Sequence, residues 1–388
     1  MVMAWWSIRR LLPFCIAEAA FAYRDRIVAF VLVLAFVTSA AAQPAAGAST
    51  PASGVRSIPL APQWVPVPRA SGRLRAAQIG LIVNAADPYS VQVGQYYAAK
   101  RGLAPEQILR VELPVRPVLE VGEFDALRQA IAERFGSNIQ ALALAWSAPY
   151  AVGCNSITGA LALGYDGELC KHTCSASRVS PYFNVASARP FSELGLRPSM
   201  LLAAADVPQA RALIDRGVAA DGSLLVRGRP PANALFLASD DPARRVRRQV
   251  YPPAGLLRAP NVVVRVAPPE ALRDTPRVLL ALTGAANLNL PPVDWLPGAL
   301  ADHLTSFGGA LQGQHGQSTA LDWIASGATA SYGTVTEPCN HLQKFPHPQV
   351  LLLHYLQGET AIEAYWKSVA WPQQGLFVGE PLAAPFSR

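Results

Sequence analysis

The segment Glu337-Pro-Cys339-Asn-His341 sets a carboxylate, a thiol and an imidazole within five residues. A thiolate activated by a histidine is the nucleophile of cysteine hydrolases, so Cys339 is the chain's best candidate for covalent chemistry. His341, or the sequence-distant His303, would serve as its base. The competing reading is a bridged cysteine, because thiols pair in oxidising compartments. With the amino-terminal leader removed, four cysteines remain: Cys154, Cys170, Cys174 and Cys339. An even number suggests two disulfides, with three possible connectivities. Cys154, Cys170, His172 and Cys174 would otherwise offer a zinc site, but Cys-x-His-x-Cys is not a usual ligand spacing. The expectation is therefore disulfides, with no metal and no cofactor.

A second candidate is Ser306-Phe-Gly-Gly at the end of an apolar run, with Asp302 and His303 just upstream. A nucleophilic serine needs a base within hydrogen-bond reach, and strand alternation puts His303 on the opposite face from Ser306. In open α/β sheets, ligands gather beyond the carboxyl ends of strands. That rule selects Asn84, Asp87, Ser147 and Glu337 as ligand-binding candidates. Asn84 and Asp87 precede Pro88 and Ser90, so a turn and a helix cap explain them as well. Trp295, Trp323, Trp366 and Trp371 suit a sugar-binding module and suit core packing equally.

These residues hang on an alternating pattern. Gln78 to Asn84 reads as a strand, Ser90 to Lys100 as a helix, Ile108 to Leu113 as a strand, and Phe124 to Phe135 as an amphipathic helix. Ala141 to Trp146 is a strand buried on both sides. After an insertion over residues 149–198, which carries three of the cysteines, the pattern resumes. Strands are expected at 200–204, 234–238, 261–266, 278–283, 301–306, 328–335 and 375–378. Helices are expected at 208–216, 318–326, 350–356 and 360–368. Such alternation implies an α/β fold, a mostly parallel sheet with helices on both faces.

Upstream, Ile27 to Ala42 is an apolar run preceded by Arg24 and Arg26 and closed by Ala40 and Ala42. That is a secretory signal with an Ala-x-Ala cleavage site, giving a leader over residues 1–42; an uncleaved anchor is the other reading. Residues 43–75, rich in Ala, Pro, Ser and Gly, read as a flexible linker. Residues 76–388 form a single domain, and no other run reaches membrane-spanning length. The protein is expected to be exported, to the periplasm or cell surface, with no stable membrane span after cleavage. Removing the leader takes away four arginines and two acidic residues, lowering the formal net charge from +7 to +5. The densest basic cluster, Arg244, Arg245, Arg247 and Arg248, lacks interleaved aromatic residues, so it reads as a solvated helix face and not a nucleic-acid patch.

The stretch Leu81 to Leu103 (LIVNAADPYSVQVGQYYAAKRGL), with GALADHLTSFGG, GATASYGTVTEP, KFPHPQVLLLHYLQGETAIEAYWKSV and GLFVGEPLAAPF from the carboxyl-terminal third, resembles an uncharacterised family of exported bacterial proteins. That family is found in genomes carrying the exosortase protein-sorting system. The motif order is also similar to that of gingipain-type cysteine peptidases, which implies a caspase-like α/β fold. In those enzymes Gly-His-Gly follows one strand and a cysteine follows the next. Here Gly284-Ala285-Ala286 and Ser306-Phe307-Gly308 stand in those places. The resemblance thus implies a catalytically degenerate, peptidase-like domain that binds an envelope protein or peptide and is linked to exosortase or exopolysaccharide systems. A hydrolase or transpeptidase using Cys339 is the alternative.

Overall fold

The computed structural model describes residues 63–388 except Gln314. The leader lies outside the described residues. The amino-terminal block comprises β1 (Ile79–Asn84), α1 (Pro88–Arg101), β2 (Ile108–Val111), β3 (Val118–Leu119), α2 (Val121–Arg134) and β4 (Ala141–Leu144). The insertion contributes β5 (Ala151–Val152), β6 (Asn155–Ser156), α3 (Ile157–Leu163) and α4 (Pro190–Leu194), and leads to β7 (Ser199–Leu201) and α5 (Val207–Ala220). Then follow β8 (Ala232–Leu237), β9 (Gly255–Leu257), β10 (Val262–Ala267), α6 (Ala271–Asp274), β11 (Val278–Gly284) and β12 (Trp295–Leu304). The chain closes with α7 (Ala320–Ser326), β13 (Ala330–Thr334), α8 (Pro348–Leu356), α9 (Ala361–Ser368) and β14 (Gly375–Gly379).

Eleven strands form one sheet in the order β2-β1-β4-β7-β14-β13-β12-β11-β8-β10-β9. From β2 to β14 every pairing is parallel. From β13 to β10 every pairing is again parallel. The two blocks meet antiparallel at β13 and β14, so their carboxyl ends lie at opposite edges of the sheet. β1, β4, β7, β8, β11, β13 and β14 are buried at every residue. That is the signature of a sheet covered on both faces, which explains why these strands read as unbroken apolar runs.

Local chemistry sets the element ends. Asp87 caps α1 by accepting from the Tyr89 amide, and Pro88 opens the helix. Thr319 with Asp322, and Thr360 with Glu363, form capping boxes at α7 and α9. β12 begins earlier than its apolar run suggests. Val278 pairs with Trp295 and Leu280 with Leu300, so β12 bulges at Pro297-Gly298, where Gly298 takes a φ of 84°. A Pro-Gly pair reads as a break in sequence, and here it marks the bulge.

Two expectations need correction. The segment expected to be a free linker docks in its described part: the Val65 and Ala70 amides donate to Gln349 and Gln357, and the buried Leu74 donates its amide to Glu363. The arginine cluster is a solvated face only in part: Arg245 and Arg248 are exposed, whereas Arg244 is half-buried and Arg247 turns inward. It forms a 3-10 turn, Arg245–Val250, in which Arg247 is 1% exposed and pairs with Asp302 of β12 at 2.5 Å. Its Nη2 also donates to the Thr283 carbonyl at the end of β11.

Candidate functional site

β11 and β12 are parallel neighbours, with Gly284 opposite Leu304. Their adjacent carboxyl ends therefore carry Ala285-Ala286 and Thr305-Ser306. The surroundings are ordered by hydrogen bonds. Thr305 Oγ1 donates to Gln317 Oε1 at 2.5 Å and accepts from Arg244 Nε at 3.1 Å, while Arg244 Nη1 pairs with Asp241 at 2.9 Å. The Phe307 amide also donates to Gln317 Oε1, and His315 stacks on the Phe307 ring at 3.9 Å between centroids. A shallow groove of about 370 Å³, lined in part by Asn287, Gln317 and Asp322, opens beside these loops.

The glycines of the Ser-x-Gly-Gly motif have a structural cause. The Gly309 amide donates to the Thr334 carbonyl at 2.9 Å, and Gly308 accepts from the Ala320 amide at 2.7 Å. A Cβ at Gly309 would fall 2.5 Å from the Gly333 carbonyl oxygen. The motif is where one strand end crosses its neighbour at backbone contact, which side chains would prevent.

Ser306 is half-buried, and its hydroxyl makes no hydrogen bond with any described residue. His303 is fully buried instead of facing the strand end. Its Nδ1 accepts from Trp323 Nε1 at 3.0 Å, and its Nε2 donates to the Ser318 carbonyl at 3.0 Å. Burial pushes its imidazole down to about 4; the Ser318 bond opposes this, and the Arg247 and Arg244 charges add to it. Both ring nitrogens are committed, so the ring cannot take a proton from Ser306 or Cys339.

The four cysteines are bridged as Cys154–Cys170 and Cys174–Cys339. The zinc reading and the Cys339 nucleophile both lose their free thiols in this form. Cys339 and Asn340 both take left-handed backbone conformations, with φ of 55° and 56°. Glu337 helps hold that turn by accepting the Cys339 amide at 2.8 Å. His341 packs against Trp371 at 5.8 Å between ring centroids, and its ring makes no hydrogen bond with a described residue. Lys344 in the following turn donates to the Thr173 carbonyl at 2.5 Å; burial pushes its ammonium down to about 8, against the pull of Glu337.

The expected ligand-binding residues divide between the two edges of the sheet. Glu337 follows β13, whereas Asn84, Asp87 and Ser147 follow β1 and β4, whose carboxyl ends point the other way. Asn84 donates to the Leu113 carbonyl and accepts the Leu113 and Ala86 amides. Ser147 donates to the Ala204 carbonyl at 3.0 Å. These atoms are engaged in holding loops. Trp323 and Trp366 are fully buried, so they offer no sugar platform.

Sequence reasoning missed a buried ionic cluster. Lys367 pairs with Glu359 at 2.6 Å, His354 Nδ1 lies 2.9 Å from the same carboxylate, and all three side chains are fully buried. Next to them Glu363 accepts from Thr360 and Leu74, and burial, with the Glu359 charge, pushes its carboxyl up to about 7. Lys and Glu at i, i+4 on α9 was the available signal, and it reads equally as a solvated pair. Among the described residues no group of three or more His, Cys, Asp or Glu side chains converges on a metal-sized site.

No protein-family model and no curated protein matches the chain. Among solved structures, it is similar to one described as "Structure of Protease", at 10% identity and a TM-score of 0.42, with 80% of this chain and 78% of the other covered. It is also similar to the "Complex of Porphyromonas gingivalis RgpB pro- and mature domains", at 11% identity and a TM-score of 0.39, with 79% of each chain covered.

Proposed function

We propose that this is an exported envelope protein whose peptidase-like domain has no peptidase chemistry and works as a binding module for a protein or peptide, linked to exosortase or exopolysaccharide systems. The observation that carries the reading is the pair of adjacent strand ends at β11 and β12. Where the peptidase motif order calls for a histidine and a cysteine, Ala285-Ala286 and Ser306 stand. Around them the hydrogen-bonded frame of Arg244, Thr305 and Gln317 is intact. A nucleophile without a base has no route to acyl transfer, whereas an ordered groove beside it retains the means to bind. Two disulfides fit an oxidising compartment, and no described helix is long and apolar enough to cross a membrane.

The test is turnover of a mixed fluorogenic peptide library by the non-reduced chain and by Ser306→Ala. No turnover by either is expected. Turnover that Ser306→Ala removes would overturn the reading. The Cys339 alternative requires the Cys174–Cys339 bridge to be opened first. Peptide hydrolysis that appears on mild reduction and is lost in Cys339→Ser would revive it.

A further inference from the structure

Away from the strand ends, two adjoining grooves of about 600 and 450 Å³ run along one surface and share Leu225, Ala259 and Pro260 in their walls. The first is lined by Arg69, Arg73 and Arg75, the second by Arg227, Arg229 and Arg258; Arg277 also lines the second, and Arg388 lines both. No aspartate or glutamate side chain lines either groove. Among the described residues none of the first six guanidinium groups has a carboxylate partner, although other arginines, such as Arg101, Arg116 and Arg189, do. Six cations along one surface, none paired directly with a carboxylate although Asp221 lies in a pocket that Arg73 and Arg75 also line, cost self-repulsion, which an anionic ligand would relieve. The same loop exposes apolar side chains: Leu225 is 41% and Val226 52% exposed, directly before Arg227. Leu256, 53% exposed, stands two residues before Arg258.

We propose that this surface docks on a bilayer containing anionic phospholipids. Guanidinium groups chelate phosphate oxygens in pairs, and a basic surface gains affinity from an anionic leaflet with each arginine. Leucine and valine tips among those arginines suit the headgroup–acyl boundary, where apolar side chains insert beneath charged ones. A soluble polyanion would use the arginines alone and leave Leu225 and Val226 in water.

The experiment is co-sedimentation of the full chain with vesicles of phosphatidylcholine alone and of phosphatidylcholine with phosphatidylglycerol. Partition onto neutral vesicles measures the apolar share of the leader; the leader also carries four arginines, so the surface is measured by the part of the anionic preference that charge reversal in the grooves removes. Binding at least about tenfold tighter on the anionic vesicles is expected. It should weaken with salt, and drop severalfold both in R227E/R229E/R258E and in L225S/V226S. Circular dichroism confirms that each variant is folded. Equal partition on both compositions overturns the proposal, and so does an anionic preference that charge reversal leaves undiminished. An unchanged partition in L225S/V226S, or competition by inorganic phosphate at millimolar concentration, assigns the grooves to a soluble anion and overturns it as well.

Discussion

His303 shows how a residue that reads as a catalytic base becomes a piece of the core. Its two ring nitrogens satisfy the Trp323 indole and the Ser318 carbonyl, and both would be orphaned without it. Trp323→Phe leaves Nδ1 without its donor and is expected to cost about 1–3 kcal/mol. The pH dependence has a definite sign. With a folded value of about 4 against 6.5 when unfolded, the histidine stabilises the fold above pH 6.5, and that contribution is lost as pH falls towards 4. The full swing is roughly 3 kcal/mol. Glu363 runs the other way: its folded value near 7 against 4.5 means stability present below pH 4.5 and lost as pH rises through 7. Urea midpoints at pH 5 and pH 8 separate them. His303→Gln should shrink the loss on the acid side, and Glu363→Gln should raise stability at pH 8 relative to pH 5; a Glu363→Gln profile parallel to the parent would refute the assignment. In the adjoining cluster, Glu359→Gln strips Lys367 of its counter-charge and is expected to cost about 3–5 kcal/mol in the same measurement.

Among the elements, the order and type of the main strands and helices were legible in the sequence, because fully buried parallel strands write themselves as short apolar runs bounded by turns. Edges and crossings were not. The start of β12 was hidden by its Pro-Gly bulge, and β9 is an exposed edge strand of three residues with no pattern of its own. The inward turn of Arg247 was invisible because its partner, Asp302, is 55 residues away. The candidate site was legible only as residue types. Pairing of Cys339 with Cys174 depends on contacts 165 residues apart, which no local spacing encodes. One close approach makes a test at this scale. A Cβ at Gly284 would overlap the Arg244 carbonyl. Gly284→Ala is therefore expected to push the 241–244 loop outward, break the Arg244–Thr305 bond, and cost about 1–3 kcal/mol. Faster amide exchange at Arg244 and Arg245, with the β11 core still protected, is the expected signature.

Within the described residues, the structure is two parallel blocks joined edge to edge through the antiparallel β13–β14 pair, with the insertion tied to the second block by Cys174–Cys339. That bridge closes a loop far longer than the 16 residues between Cys154 and Cys170. By chain entropy alone it stabilises by about 5 kcal/mol against roughly 3 for the short loop. The Cys174→Ser/Cys339→Ser pair is thus expected to lose more stability in urea than the Cys154→Ser/Cys170→Ser pair, and the reverse order would show that the insertion is held chiefly by its hydrogen bonds, such as Thr336 to the Cys154 carbonyl.

The seam between the blocks has a temporal consequence. β14 sits between β7 and β13, yet it follows every other strand in the chain. Until it emerges, a growing chain carries two half-sheets, each with a bare inner edge whose amides and carbonyls have no partner. Such edges recruit strands from other molecules. A chain stopped before Gly375 should therefore be sticky and readily degraded, whereas one that carries β14 and the buried residues after it, Glu380 paired with Arg101 among them, should be a protease-resistant whole. The protein cannot begin its work half-made, because its two halves become one sheet only when the closing strand slides between them.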